Sequence, residues 1–567
     1  MQRSHSLFVS IIACLAFVVV GAAASAAGEG KPVLISVMHT NDVHGGIDPT
    51  GATFMDEEFP PLLGGGPSLA RLVQDERARA AAEGGGLLLL DTGDIWQGTP
   101  VGNFRSGEVV IEFMNKVGYD AWVPGNHDFD AGYANALRLM GLAKFPVLGA
   151  NFVTKATGEI PAPLVPYTIK EVAGIKIGII GIITEETEFY SAGQNLGDYD
   201  LIPVKPVVQR YVEELRPRVD LIFVQGHIGL PYDVQSAYKE MVETGVEQKI
   251  RWGMNAMELV HNVQGVDVLI GGHIHVGYEQ GWEDPVTHTI VIQTYGRGTG
   301  VGLYTFKVDR ETRKIVGYEL PEADGSIITL YEDEYWPESE TSEFLSGKMD
   351  TAEAGMDVPI GRAIVDLTRI GVGESVLGDL VTDAMREAVD ADVAFTNLGG
   401  IRSNIHAGTI TPREVFTAIP FENRLVYYDM TGSYLKHVLE WRIKGMRQGA
   451  YVSGVKIVYS RALPDYERIT SLTVGGKPWD PDSIYRVATT DFIASGNIGL
   501  EFLADFDPEH VHSTDILVKD AMVEYIKKHS PLDRKLEGRF LRDDAAQYTP
   551  AILEAMPRVK PLKEITH

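Results

Sequence analysis

Aspartate, asparagine and histidine recur in this chain where an apolar run gives way to a short glycine-bearing turn. Asp42 and His44 follow the run 33–38 in His39-Thr-Asn-Asp-Val-His-Gly45, and Asp94 follows 87–90 in Asp91-Thr-Gly-Asp94. Asn126, His127 and Asp128 follow 121–123 in Pro124-Gly-Asn-His-Asp-Phe-Asp130. His227 ends Val224-Gln-Gly-His227, and His273 and His275 end Ile270-Gly-Gly-His-Ile-His275. Taken singly each is ordinary, because Asp, Asn and Gly are common turn formers and a lone histidine is more often a satisfied polar group than a ligand. Their recurrence at the same place in successive units is what points to metal. A closed structural zinc site would usually draw on cysteine, and the single cysteine is Cys14, near the N-terminus. Oxygen and nitrogen donors with a carboxylate able to bridge suit two divalent ions about 3.5–4 Å apart, which lower the pKa of a water between them and clamp an in-line displacement at phosphorus. Zn, Mn, Fe and Co all accept such donors, so this set does not select among them.

The elements that must carry these turns read as strands alternating with helices. The apolar β-rich runs are 33–38, 87–90, 121–123, 175–183, 220–224 and 266–270, and stretches such as 68–82 and 255–263 place apolar residues at helical spacing. Strand then helix, repeated, predicts an α/β layered domain whose strand carboxyl ends converge on one crevice. The segment 286–308 reads as two further strands forming an antiparallel edge. From 321 to 359 the composition turns acidic and polar, with a helical pattern over 343–354, which predicts a linker. A second unit from about 362 to 541 has its own helices (377–389, 435–444) and strands (452–459, 485–489), and there is no internal repeat or low-complexity segment.

The bulk composition fits this picture. With 567 residues, 44% of them hydrophobic and 23% charged, the chain has material for more than one core. Its net charge of −28 argues against a nucleic-acid polymer as partner, since phosphate backbones are held by Lys and Arg. A small anionic substrate remains compatible if the site supplies its own positive charge. Arg3, the apolar stretch 7–20 and the small residues Gly21-Ala-Ala-Ala-Ser-Ala-Ala27 read as a secretory signal cleaved near Ala26 or Ala27, predicting a periplasmic or extracellular product. The stretch is shorter than the roughly 20 residues a membrane span needs, so no transmembrane span is expected in the mature chain. Ile11-Ile-Ala-Cys14 offers a rival reading as a lipid-anchoring box, against which the apolar run continues past Cys14 to Val20.

In order and spacing, Asp42-x-His44, Gly93-Asp94, Gly125-Asn-His-Asp128, Gly226-His227 and Gly272-His-x-His275 resemble the calcineurin-like metallophosphoesterase signature. Asn397-Leu-Gly-Gly-Ile-Arg-Ser403, Pro420-Phe421-Glu-Asn423 and Thr490-Asp-Phe492-Ile-Ala-Ser-Gly496 resemble the C-terminal domain of the 5′-nucleotidase/UDP-sugar hydrolase family. The resemblance implies an α/β (α+β) chain. A four-layer α/β/β/α metallophosphoesterase sandwich over 31–325 would be joined through a linker at 326–360 to a smaller α/β substrate-binding domain over 361–545. Residues 1–27 would be the signal peptide and 546–567 a tail. It further implies that Asp42, His44, Asp94 and His275 hold one ion and Asp94, Asn126, His227 and His273 the other, with Asp94 bridging and Gln97 close to the first. His127 and Asp130 would be a catalytic dyad, His127 steadying developing phosphoryl charge and Asp130 orienting its ring. Arg402 would meet the substrate's phosphate, Asn397 the base, and Phe421 and Phe492 would sandwich a nucleobase; for either phenylalanine, plain core packing is the alternative. Metals on one domain and a substrate clamp on the other would require closure about the linker.

Two departures bear on substrate identity. The family carries Gly-Gly-Asp-Gly after the second phenylalanine, its acid holding the ribose hydroxyls, whereas here the run is Gly496-Asn-Ile-Gly499, with Ile498 in the acid's place. The family also carries an arginine shortly before Glu374-Ser375, where this chain has Gly371-Val-Gly373 and Arg369 is the nearest candidate. The expected activity is hydrolysis of phosphate monoesters, foremost 5′-nucleotides, by metal-activated water. The alternatives are hydrolysis of a 2′,3′-cyclic nucleotide, UDP-sugar, sugar phosphate or thiosulfonate, and a surface protein that binds metal without catalysis.

Overall fold

A computed structural model describes residues 31–542 apart from 53–54, 57–58, 188–195, 245–252, 323–324, 370–373 and 445–448. The leader, Cys14 and the tail lie outside the described residues, as do Gly371-Val-Gly373. Two six-stranded sheets form the centre of the first half. In the first, Val33–Thr40 runs parallel to Gly86–Asp91, which runs parallel to Ala121–Trp122, while Gly300–Val308 pairs antiparallel on the other flank of Val33–Thr40. In the second, Ile175–Ile182, Leu221–Gly226, Val268–Ile270 and Ile290–Ile292 are successive parallel neighbours.

Alternation along the second sheet's strands shows the layering. Ile175, Ile177, Ile179, Leu221 and Phe223 face the first sheet in the central core, and the rings of Phe223 and Phe306 lie 6.1 Å apart across it. Ile180, Ile182, Ile222 and Val224 face outward onto the helices Val204–Leu215 and Ala256–Asn262. On the far side, the helices Gly65–Ala82 and Glu108–Val117 cover the first sheet with Leu69, Leu72, Val73, Val110 and Met114. Helix, sheet, sheet, helix: the four expected layers are present. Burying a sheet on both faces is what parallel strands require.

The segment 286–308 departs from expectation. Its two strands enter different sheets, Ile290–Ile292 parallel in the second and Gly300–Val308 beside Val33–Thr40 in the first, so they form no common antiparallel edge. The chain crosses between sheets through the turn at Gly296-Arg297-Gly298, next to the metal-capable turns.

The helix Ser339–Ala352, begun at the capping residue Glu338, packs against helices of the first half. The second half builds on a five-stranded sheet that includes Val393–Thr396, Arg424–Thr431 and Ile484–Thr490. Val376–Ala388 covers one face of it, and Gly432–Ile443 with a smaller sheet covers the other. The expected single strand 452–459 is two, Tyr451–Ser453 and Val455–Tyr459, assigned to separate sheets. Gly454 between them has φ +79, and a Cβ there would sit 1.9 Å from the Asp392 carbonyl oxygen, so only glycine makes this transfer.

Candidate metal centre and substrate cavity

Hydrogen bonds between turns bring the strand ends of both sheets to one point. Asp42 N donates to the Gly93 carbonyl at 2.8 Å, and His44 N to the Asp94 carbonyl at 2.9 Å, stitching the first turn to the second. Asp128 lies beneath them and accepts from the backbone N–H groups of Asp94 (2.9 Å), Ile95 (3.0 Å) and Gly125 (2.7 Å). The His127 N–H donates to Asp94 Oδ1 at 2.8 Å, and the His273 N–H to Asp42 Oδ2 at 2.9 Å. Glycine is needed where the turns touch: a Cβ on Gly125 would lie 2.2 Å from Asp94 Oδ1. The donors themselves carry backbone strain. Asp42 (φ +50), His44 (+46), Asp94 (+57), His273 (+77) and His275 (+57) all adopt left-handed backbone, costing on the order of 1–3 kcal/mol each and persisting only where the surroundings over-determine the turn.

Their side chains form two overlapping clusters. Ligand atoms of Asp42, His44, Asp94 and His275 all lie within 4.8 Å of one another, as do those of Asp94, His227 and His273, so Asp94 belongs to both. His44 Nε2 is 3.1 Å from His275 Nε2, and His227 Nε2 is 3.2 Å from Asp94 Oδ2 and 3.1 Å from Asn126 Oδ1. Outer ring nitrogens are held as well, His227 Nδ1 by the Thr92 carbonyl at 2.6 Å and His44 Nδ1 by the Gln97 carbonyl at 3.2 Å. The electrostatics ask for a cation. Burial pulls His227 down, yet Asp94 and Asp42 outweigh it and hold the ring up at about 10. Burial pushes Asp94 up, but His227, His127 and His44 keep it well below the usual carboxylate range. His227 Nε2, Asp94 Oδ2 and Asn126 Oδ1 converge on one buried point, a donor set whose ligands a divalent ion would bind with release of protons. Gln97 Oε1, buried beside His44 without a hydrogen-bond partner among the described residues, adds a further oxygen. The donor set fits a dinuclear centre.

The dyad opens from this centre into a cavity. His127 Nδ1 and Asp130 Oδ2 are 2.6 Å apart, and although burial pulls His127 down, Asp130 and Asp94 raise it to about 9. A cavity of about 450 Å3 is lined by His127 and Asp130 on one side and by Asn397, Arg402, Phe421, Phe492 and Ile498 on the other. The Phe421 ring lies 5.7 Å from that of His127 and 5.0 Å from the Arg402 guanidinium. The sequence-derived residues of both halves therefore meet at one place. Phe421 is almost buried, Phe492 is half-buried against the core of the second half, and Ile498 stands at φ +58 on the cavity wall.

Three residues of the site escaped the sequence reading of roles. Asp128 was visible in its motif, but nothing local showed that it ties its own turn to the one that carries Asp94. Glu186, whose Oε2 lies 2.8 Å from His273 Nε2, is far from it in sequence. Arg297 occupies a left-handed position (φ +64) that an arginine flanked by glycines could have signalled. Surrounding protein together with Arg369 pulls Arg297 down, and burial, Arg297 and Arg369 pull Arg402 down to about 10. Positive charge thus gathers beside the donors in a chain that is acidic overall.

Residues 35–277 match the family model for calcineurin-like phosphoesterases, and residues 358–505 match that for the 5′-nucleotidase C-terminal domain. The chain belongs to the 5′-nucleotidase family of metallophosphoesterases. It is 29% identical over 526 residues to the protein UshA of Yersinia enterocolitica, covering 89% of this chain and 93% of that one. It is 28% identical over 535 residues to a 5′-nucleotidase of Vibrio vulnificus, covering 88% and 91%. The crystal structure of a 5′-nucleotidase precursor from Thermus thermophilus superposes with a TM-score of 0.73 at 26% identity, over 90% of this chain and 99% of that one. The chain is thus a metal-dependent phosphoric ester hydrolase with a dinuclear site, and no helix among its described residues is long and apolar enough to cross a membrane.

Proposed function

We propose that this family member hydrolyses nucleoside 5′-phosphates to nucleoside and phosphate outside the cytoplasm. The observation that carries the reading is the shared cavity, in which His127 of the metal-bearing half lies 5.7 Å from Phe421 of the other half. Asp42, His44, Asp94 and His275 would hold one ion, and Asp94, Asn126, His227 and His273 the second. When bound, the ions supply a water of lowered pKa and charge to stabilise the phosphoryl oxygens. His127, kept protonated by Asp130, donates toward the phosphoryl or leaving-group oxygen, and Asp130 fixes its ring. Arg402 binds the phosphate with Arg297 and Arg369 adding to the field, Asn397 touches the base, and Phe421 and Phe492 offer faces for stacking, which every nucleobase can use.

Residues 31–325 and 361–545 act as catalytic and substrate domains about the 326–360 linker. They already meet in this arrangement, where Asn103 Nδ2 is 3.4 Å from Glu422 Oε1, so substrate entry calls for their separation. Residues 1–27 direct export, which N-terminal mass spectrometry of secreted protein would test against acylation at Cys14.

Ile498 favours a second reading within the same chemistry. Its apolar side chain lines the cavity and offers no acceptor to a ribose diol, which suits an ester without a free ribose diol, such as a sugar phosphate, 2′,3′-cyclic nucleotide or thiosulfonate, at least as well. Phosphate release from AMP and from simple phosphate esters, with and without chelator, tests both readings. Chelator-sensitive turnover of AMP is expected, and turnover of simple esters with none of AMP would overturn the nucleotidase reading.

A further inference from the structure

The two donor clusters carry unequal charge. The first has two carboxylates, Asp42 and the shared Asp94, whereas the second has Asp94 alone with the neutral amide of Asn126 and the imidazoles of His227 and His273. Glu186 stands just behind that weaker cluster. It lies in the tight turn that follows Ile175–Ile182, where Thr187 Oγ1 donates to the Thr184 carbonyl at 2.8 Å and the Glu186 N–H to Thr184 Oγ1 at 3.2 Å. Its neighbour Glu185 faces elsewhere, accepting from the N–H groups of Val204 and Met254, both at 3.3 Å. Glu186 is thereby left to meet the His273 ring, Oε2 to Nε2 at 2.8 Å, with both side chains mostly shielded. The other outer nitrogens described above rest on neutral backbone carbonyls; only this one meets a carboxylate.

We propose that Glu186 is a positioning residue for the second metal pocket: it accepts the His273 Nε2 proton, leaves the buried Nδ1 as the metal-facing nitrogen, and supplies from one ring away the negative charge that this pocket lacks. His273 is then held three ways, by its left-handed backbone, by its N–H on Asp42 and by its ring on Glu186. A carboxylate behind a ligating imidazole fixes the tautomer and raises the ring's basicity, and losing such a partner commonly costs about 10–100-fold in metal affinity. The larger effect falls on the second ion, because Glu186 meets the ring of His273 itself, while its route to the first cluster runs through the His273 backbone N–H on Asp42.

This inference rests on the dinuclear reading, so the test separates them. Purified apo-protein is titrated with Zn2+ and with Mn2+ against a chromophoric chelator, for wild type, Glu186→Gln and Glu186→Ala, and elemental analysis counts the ions retained. The second equivalent is expected to weaken about 10–100-fold in Glu186→Ala. It should weaken less in Glu186→Gln, whose amide oxygen still accepts the ring proton without the charge, while the first equivalent keeps its affinity in both. Melting of the metal-free proteins should coincide. An unchanged second equivalent in Glu186→Ala, or equal weakening of both, would overturn the assignment of Glu186 and leave the dinuclear site standing. A wild type that retains a single ion would overturn both readings together.

Discussion

Asp42, His44, Asp94, His273 and His275 sit in left-handed backbone and are held by hydrogen bonds between turns, whereas across the cavity Phe421 and Phe492 rest on ordinary backbone, Phe492 packed against the core of the second half and Phe421 beside the His127 ring and the Arg402 guanidinium. In the first region, one side chain often serves two purposes. Asp94 belongs to both donor clusters and accepts the His127 N–H, and Asp128 secures three backbone amides of two turns. In the second region the wall residues are side chains that each offer one surface to the cavity, Phe492 and Ile498 also packing against the core behind them. The comparison teaches that the metal-capable donors are built into the turns themselves, whereas the far wall of the cavity is made of side chains presented by the other half.

The sharpest way to break that contrast is at its most connected residue. Asp94→Asn is expected to lower turnover by more than about 10²-fold and to reduce bound metal, exceeding what loss of an outer partner costs. Two retained ions with normal turnover would show that Asp94 does not bridge. His127→Ala should lower kcat by roughly 10²–10⁴-fold with metal content and KM nearly unchanged, as for a group acting on the transition state. Loss of metal without a separate rate effect would make His127 part of the scaffold instead.

On the other side of the cavity the expected effects are smaller and selective. Phe421→Ala or Phe492→Ala should weaken nucleotide binding by about 1–3 kcal/mol, the worth of one stacked base, and leave a non-aromatic phosphate ester nearly unaffected. Equal losses on both substrates would assign the rings to core packing. The smallest effect concerns sugar recognition. A buried hydroxyl without a partner costs about 1–3 kcal/mol, so wild type is expected to discriminate weakly between AMP and its 2′-deoxy analogue. Ile498→Asp should raise that preference by one to two decades at most. A strong native preference for ribose that the substitution leaves unchanged would place diol recognition on another residue.

Much of the catalytic region was legible because each donor lies within a few residues of the strand that presents it. An apolar run followed by Gly-Asp or Gly-His is a local pattern, and strand ends of an α/β fold converge wherever the strands pair in parallel. Asp42, Asp94, Asn126, His227 and His273 could thus be placed from sequence alone. His39, in the same stretch as Asp42, shows the limit: it lies inside the strand, opposite Gly302, and stacks on Tyr304 in the core. Burial pulls it down to about 3, so it stays neutral.

What depends on partners distant in sequence was not legible. Ile290–Ile292 and Gly300–Val308 read alike as apolar runs, and only pairing with Val268–Ile270 and Val33–Thr40 sends them into different sheets. Local periodicity records that a face is buried, not against what. The same reason hid Glu186 behind His273, 87 positions away. The residue types, their order and their delivery at strand ends were determined by the sequence itself. The placing of Glu186 behind His273, which arginines share a field, and the meeting of His127 with Phe421 were decided by the tertiary structure, because only packing sets distances between segments that the chain does not join directly.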